Sequence, residues 1–156
     1  MLRILFVDDE PFILQGLSVL IDWEKEGFEI AGTAANGLEA IRFLKNNEVD
    51  LILADIRMPG MSGLELLEKL RTEGISDAYF IILSGYSDFE YARKALQYGC
   101  MDYILKPVRK TELIAALDKV KAESSLTLRK KEEEALQEKA YLARNLIAII
   151  CGKYDQ

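Results

Sequence analysis

The segment Leu51-Ile-Leu-Ala-Asp55-Ile-Arg-Met-Pro-Gly60 carries the clearest sign of the architecture. Its first four residues are apolar, which is typical of a central parallel strand that is covered on both faces. A turn-forming Pro-Gly pair then interrupts the strand pattern, and leucines spaced as on one face of a helix follow over residues 63–71. A buried strand followed by an amphipathic helix is one unit of an α/β fold.

The same pairing of an apolar run with a helical segment occurs four more times along the chain. This alternation predicts a (βα)₅ fold, in which a parallel sheet lies between layers of helices. Because crossovers between parallel strands are right-handed, few topologies remain. We expect a flavodoxin-like, doubly wound sheet with strand order 2-1-3-4-5 and a C-terminal helical extension. The other strands are predicted at residues 3–7, 28–33, 79–83 and 102–105, and the helices at 11–21, 36–46, 89–98 and from 110.

The predicted helix ends carry local stop and start signals. A capping residue stands three positions before a glutamate at three helix starts, in the segments 36–39, 62–65 and 87–90. Pro11 suits the first turn of a helix, where its missing N–H is not needed. Gly99 is placed to end the fourth helix in a left-handed conformation.

The composition excludes several classes of chemistry. The chain has 156 residues, a net charge of −6 and no histidine, so a Ser-His-Asp triad, a histidine base and histidine-containing metal sites are excluded. An acidic surface disfavours nucleic-acid binding as the main task. Cys100 and Cys151 are isolated and are expected to be reduced thiols. No signal peptide or apolar run long enough to span a bilayer is found, so we expect a soluble, cytoplasmic protein.

The charge balance changes after Val120. Residues 1–120 contain 13 basic and 20 acidic side chains, whereas residues 121–156 contain 7 and 6. We therefore predict a domain over 1–120 and a helical linker or extension over 121–156. Apolar residues recur at every seventh position from Leu128 to Ile149. The second apolar position that a coiled coil needs in each heptad is polar instead, at Lys131, Glu138 and Asn145. The extension is expected to pack on its own domain or on a second copy, with a dimeric coiled coil as the alternative.

Polar side chains follow four of the predicted strands. Asp8 and Asp9 follow the first strand, Asp55 the third, Ser84 the fourth and Lys106 the fifth. Sites in open parallel sheets form at these carboxyl ends, beside the switch in strand order, so the three aspartates should converge. An all-oxygen ligand set favours a hard divalent ion, most simply Mg²⁺. The Lys106 ammonium and the Ser84 hydroxyl can neutralise and bond a phosphoryl group, so the set suits phosphoryl transfer to a carboxylate.

In this arrangement the sequence resembles the receiver domain of two-component response regulators, over roughly residues 1–120. The resemblance rests on the double aspartate, on Asp55 in Asp-Ile-Arg-Met-Pro-Gly, and on the serine and Lys-Pro at the later strand ends. It implies that Asp55 accepts the phosphoryl group. It also implies that Asp9 binds Mg²⁺ directly and Asp8 mainly through water, with Asp55 and the backbone carbonyl of Arg57 as further ligands.

The resemblance also assigns roles at the fourth and fifth strands. Ser84 would bond the phosphoryl oxygen and Lys106 would pair with the phosphate, with a cis peptide bond before Pro107. Tyr103 would be the aromatic switch that turns inward when the hydroxyl moves, with a structural tyrosine as the alternative. Tyr86, and Arg57 after the acceptor, are candidates to screen the aspartyl-phosphate from water, with solvated side chains as the alternative.

Two segments narrow the resemblance. Residues 84–96 and Asp22-Trp23-Glu24 are similar to receivers that precede an AraC-type helix-turn-helix output domain. The implied partner is a sensor histidine kinase, and DNA would be bound only through an output domain outside residues 1–156. We expect the chain to end in or after a linker, with a stand-alone receiver as the alternative. A homodimer through the 89–105 face or the C-terminal helix is a further expectation.

The resemblance implies a receiver that changes conformation on phosphorylation to control an output, which we expect to be transcription, and that is not a turnover enzyme. Two other functions are weighed against it. The first is a Mg²⁺-dependent phosphohydrolase with an aspartate nucleophile, but such enzymes usually carry Asp-x-Asp after strand one. The second is a scaffold that dimerises without phosphorylation. In two-component systems the donor carries the phosphoryl group on histidine, and since this chain has no histidine, the group would have to come from elsewhere.

Overall fold

A computed structural model describes residues 1–85 and 89–150 of the chain. In that part, strands and helices alternate as predicted, and each end that the sequence predicts lies within one residue of the observed end. The strands are β1 (Leu2–Val7), β2 (Phe28–Ala34), β3 (Leu51–Asp55), β4 (Tyr79–Ser84) and β5 (Asp102–Leu105). The helices are α1 (Pro11–Leu20), α2 (Gly37–Asn46), α3 (Gly63–Thr72), α4 (Phe89–Gln97) and α5 (Lys110–Ile150).

The strands form one parallel sheet in the order β2-β1-β3-β4-β5, which confirms the predicted topology. Strand β3 lies at the centre, and its residues 51–54 are fully buried, as its apolar sequence predicts. The register pairs Val7 with Ala54, and Asp55 with Leu83. The polar residues that follow the central strands therefore reach the same edge of the sheet.

Two apolar clusters cover the two faces of the sheet. Alternate residues of each strand point to opposite faces, so Leu5 joins one cluster and Phe6 the other. Cluster 1 includes buried side chains of α2, α3 and α4, and cluster 2 includes those of α1 and of residues 113–120. This double covering is the packing expected of a doubly wound sheet.

The sequence predicts that the capping residue and the glutamate of each start signal satisfy each other's N–H groups, and the observed caps differ in detail from this prediction. The N–H of Glu39 donates to Asn36 Oδ1 at 2.9 Å, but the Glu39 carboxylate accepts from the N–H of the residue before the cap. The N–H of Glu65 donates to Ser62 Oγ at 3.1 Å. The third predicted cap, at Ser87, lies outside the described residues.

Contacts divide the chain into two units, Met1–Val120 and Lys121–Gln156. The described part of the second unit, residues 121–150, is helical throughout and belongs to α5. Leu128, Leu142 and Ile149, which share the seven-residue spacing, are exposed in it. Among the described residues no helix is both long enough and apolar enough to span a bilayer.

Candidate functional site

Three carboxylates meet where β1 and β3 end. Asp8 and Asp9 directly follow β1, and Asp55 is the last residue of β3. One carboxylate oxygen from each lies within 4.8 Å of the others. Asp8 is buried, Asp55 is partly buried and Asp9 is exposed, so the cluster opens to solvent on one side. The structure thus brings together the three carboxylates among the predicted metal ligands.

Lys106 supplies the positive charge in this cluster. Its Nζ lies 3.3 Å from Asp8 Oδ2 and 3.3 Å from Asp55 Oδ1. The other oxygen of Asp8 accepts a hydrogen bond of 2.9 Å from the N–H of Glu10. Asp8 therefore bonds the backbone of Glu10, the residue directly before α1, and contributes to the cluster at the same time, but it does not cap the helix.

The charge balance around Asp55 affects its proton affinity. Burial is the largest effect and raises the pKa of Asp55 above its ordinary value of 3.8. The Lys106 ammonium lowers the pKa, whereas the negative charges of Asp8 and Asp9 raise it. Since burial and like charges prevail, a further cation next to Asp55 would favour its ionised form, the form that can act as a nucleophile.

Ser84 and Lys106 are linked through the backbone at the next two strand ends. The N–H of Lys106 donates to the carbonyl oxygen of Ser84 at 2.7 Å. Ser84 is fully buried and follows Leu83, the residue that pairs with Asp55 across the sheet. The peptide bond between Lys106 and Pro107 is cis, as the resemblance implies.

Tyr103 lies on β5, three residues before Lys106, and its side chain is partly buried against cluster 1. Its position therefore suits both the switch role and the structural one. Arg57 is exposed, two residues after Asp55. Tyr86, the other candidate for screening the phosphate, lies outside the described residues.

Gly63 shapes the site, although no motif in the sequence singles it out. A Cβ at this position would collide with the backbone carbonyl of Asp55. The N–H of Gly63 also donates to the carbonyl of Ile56 at 2.8 Å, which folds the segment after Asp55 back onto α3. The sequence shows a glycine directly after the capping serine. The reason for a glycine there is the close approach to Asp55, which only the fold creates.

An apolar groove of about 530 Å³ lies beside Lys106, and no pattern in the sequence predicts it. Its walls come from α1, including Phe12 and Gly16, and from Pro107 and Val108 after β5. Phe12 is 85% exposed, an unusual position for a large aromatic side chain. We name this surface the α1 groove.

Comparison with known proteins gives a consistent set of similarities. The sequence model described as "Response regulator receiver domain" matches residues 4–118. The uncharacterized transcriptional regulatory protein YesN of Bacillus subtilis is 41% identical over 123 residues, which is 79% of this chain and 33% of that protein. The transcriptional regulatory protein HptR of Staphylococcus aureus is 36% identical over 120 residues, or 77% of this chain and 46% of that protein. The chain thus spans less than half the length of these curated relatives.

Solved structures agree with the sequence matches. The REC domain of AraT, a response regulator from Geobacillus stearothermophilus, has a TM-score of 0.73 at 31% identity, and the match covers 81% of this chain and 98% of that domain. A chain of the CheX-CheY complex with BeF₃ and Mg²⁺ from Borrelia burgdorferi has a TM-score of 0.69 at 29% identity. That match covers 76% of this chain and 88% of that one.

Proposed function

Because this chain belongs to the response regulator receiver domain family, we propose that it is a phosphorylation-controlled switch of a two-component system. In this proposal residues 1–120 are the phosphoacceptor domain and residues 121–156 lead to an output. The observation that carries the proposal is the position of Lys106 Nζ, 3.3 Å from a carboxylate oxygen of both Asp8 and Asp55. An ammonium in this position can neutralise a phosphoryl group that arrives at Asp55.

The proposed reaction transfers a phosphoryl group from a partner histidine kinase to Asp55. A carboxylate oxygen of Asp55 attacks phosphorus, the P–N bond of the kinase's phosphohistidine breaks, and the departing imidazole takes up a proton. The product is an acyl phosphate on Asp55. Lys106 pairs with the phosphoryl oxygens during the transfer, and the Ser84 hydroxyl bonds one of them afterwards.

The donor set fits the proposed Mg²⁺. Asp8, Asp9 and Asp55 offer only oxygen ligands within 4.8 Å of one another, and such ligands suit a hard divalent cation. They would hold the ion together with the backbone carbonyl of Arg57. When bound, Mg²⁺ would neutralise charge on the transferring phosphoryl group. The similarity to a chain from a complex that contains Mg²⁺ supports this choice of metal.

The α1 groove is the docking surface that we propose for the kinase. A donor must bring its phosphohistidine within bonding distance of Asp55, so its docking surface has to adjoin the cluster. The α1 groove meets this condition because Lys106 and Pro107 form part of its lining. Its exposed Phe12 offers the large aromatic contact that commonly anchors a protein partner.

The proposed output is control of transcription. YesN and HptR are named as transcriptional regulatory proteins, which supports an output domain of this type in the whole protein. DNA would be bound through that domain, and Tyr103 would report the state of Ser84 to it. A homodimer through the 89–105 face or through α5 would join two outputs. The proposal places the reaction in the cytoplasm and includes slow self-dephosphorylation, without turnover of external substrates.

The first test is labelling by a small acyl-phosphate donor such as acetyl phosphate. We expect a mass gain of one phosphoryl group that requires Mg²⁺, and its loss in the Asp55→Asn variant. Asp77→Asn, an exposed loop position before β4, is the matched control and should be labelled like the wild type. A mass gain that persists in Asp55→Asn would refute Asp55 as the acceptor.

A further inference from the structure

In residues 90–97 of α4, where the structure describes the side chains, few side chains are buried. Among its described residues 90–97, Ala95 is the one fully buried side chain. By comparison, α3 buries residues at five positions. A segment with few buried apolar contacts can shift at a low cost in free energy. We therefore expect α4 to respond readily to a change elsewhere in the domain.

The end of α4 is fixed by its backbone. Gly99 has a φ of +87°, as its predicted role as a helix stop requires, and its N–H donates to the carbonyl of Leu96 at 3.1 Å. The N–H of Cys100 donates to the carbonyl of Ala95 at 2.9 Å, and Cys100 itself is buried. The left-handed glycine and these two hydrogen bonds therefore end α4 a few residues before β5.

One side-chain hydrogen bond ties this end of α4 to α3. Tyr98 Oη donates to Glu68 Oε1 at 3.0 Å, between residues that are 30 positions apart in the chain. The bond is exposed, so both groups can turn to water when it breaks. Its loss therefore leaves no buried polar group unpaired, and the bond is suited to form and break repeatedly.

The same pair lies in a groove that reaches the segment after Asp55. The groove, of about 770 Å³, is lined by Arg57 and Pro59 of that segment, by Glu68 of α3, and by Tyr91 and Tyr98. A shift of the segment after Asp55 would therefore change the shape of the groove that Tyr98 and Glu68 also line. This shared lining connects the phosphoacceptor with the contact between α3 and α4.

We propose that the hydrogen bond between Tyr98 and Glu68 is a latch that favours the unphosphorylated conformation. The inference rests on the proposed function, since it concerns phosphorylation of Asp55. A contact that is stronger in one state than in another biases the equilibrium towards the first. Weakening the latch should then raise the population of the conformation that accepts the phosphoryl group, and phosphorylation should loosen α4 in return.

The test compares Tyr98→Phe with the wild type in the full chain. The variant keeps the aromatic ring against cluster 1 and removes only the hydroxyl. We expect amide hydrogen exchange in residues 90–97 to be faster, and initial labelling by acetyl phosphate with Mg²⁺ to be faster, each by roughly two- to fivefold. Tyr91→Phe removes a hydroxyl from α4 in the same groove but spares the latch, so it should behave like the wild type.

A second variant identifies the hydrogen-bonded pair itself. Glu68→Ala should match Tyr98→Phe in both measurements, and the double variant should show no further increase, because both substitutions remove the same interaction. Unchanged exchange and labelling in Tyr98→Phe, slower labelling, or additive effects in the double variant would overturn the latch. Failure of the proposed function would appear differently, as absence of labelling in the wild type, while the exchange measurement would still test the contact.

Discussion

At the scale of single residues, the site is a balance between one ammonium and three carboxylates. Lys106 pairs with both Asp8 and Asp55, yet the pKa of Asp55 stays raised because burial outweighs this pairing. The domain therefore keeps its proposed nucleophile in an environment that opposes the charge needed for reaction. Ionisation of Asp55 is therefore less favourable than usual without a further positive charge. A bound cation would supply that charge and favour the ionised carboxylate.

Asp55→Asn should raise the free energy of unfolding at neutral pH. A carboxyl whose folded-state pKa is raised contributes stability below its unfolded pKa, and loses that contribution as the pH rises through the folded value. The advantage of the variant should therefore be present at neutral pH and vanish below the ordinary pKa of 3.8. Urea denaturation with a chelator present, at a series of pH values, measures it. A variant less stable than the wild type at neutral pH would contradict the prediction.

Gly63→Ala should destabilise the fold by about 1–3 kcal/mol, because the added Cβ meets the backbone of Asp55. Gly16→Ala is the matched control, since Gly16 lies within α1 and has open space around its missing Cβ. That substitution should stabilise by roughly 0.5–1 kcal/mol. Urea midpoints of the two variants measure the difference, and equal midpoints would show that the close approach at Gly63 has no cost.

At the scale of secondary-structure elements, the strand ends hold the polar side chains of the site, and the helices form the surfaces beside them. The ends of β1, β3 and β5 bring the three aspartates and Lys106 together, because parallel strands in this order end on one side. Helix α1 adjoins this edge of the sheet through the α1 groove, and α4 shares a second groove with the segment after Asp55.

Phe12→Asp should slow phosphotransfer from a histidine kinase by about tenfold or more, because a charge replaces the main apolar contact of the α1 groove. Labelling by acetyl phosphate should be unchanged, since the carboxylate cluster is intact. Val19→Asp is the control, because Val19 is exposed on the same helix but does not line the groove. Radiolabel transfer from a phosphorylated kinase measures both rates, and equal slowing by the two variants would count against the docking surface.

At the scale of the whole molecule, the sequence was sufficient for the topology and for the identity of the polar residues at the strand ends. Both follow from short-range patterns, namely apolar runs, helical spacing and the residue directly after each strand. The pairing of Lys106 with Asp8 joins residues 98 positions apart, and no local pattern encodes its distance. The α1 groove and the contact at Gly63 likewise depend on how distant elements pack, so they required the structure.

The central claim is that Asp55 carries the phosphoryl group, and the most direct test is to locate the modified residue. The chain is labelled with acetyl phosphate and Mg²⁺, the acyl phosphate is reduced with borohydride, and peptides are analysed by mass spectrometry. Reduction of an aspartyl-phosphate yields homoserine, so the account predicts homoserine at position 55 and unmodified Asp8 and Asp9. Homoserine at position 8 or 9, or labelling without reduction at position 55, would contradict it.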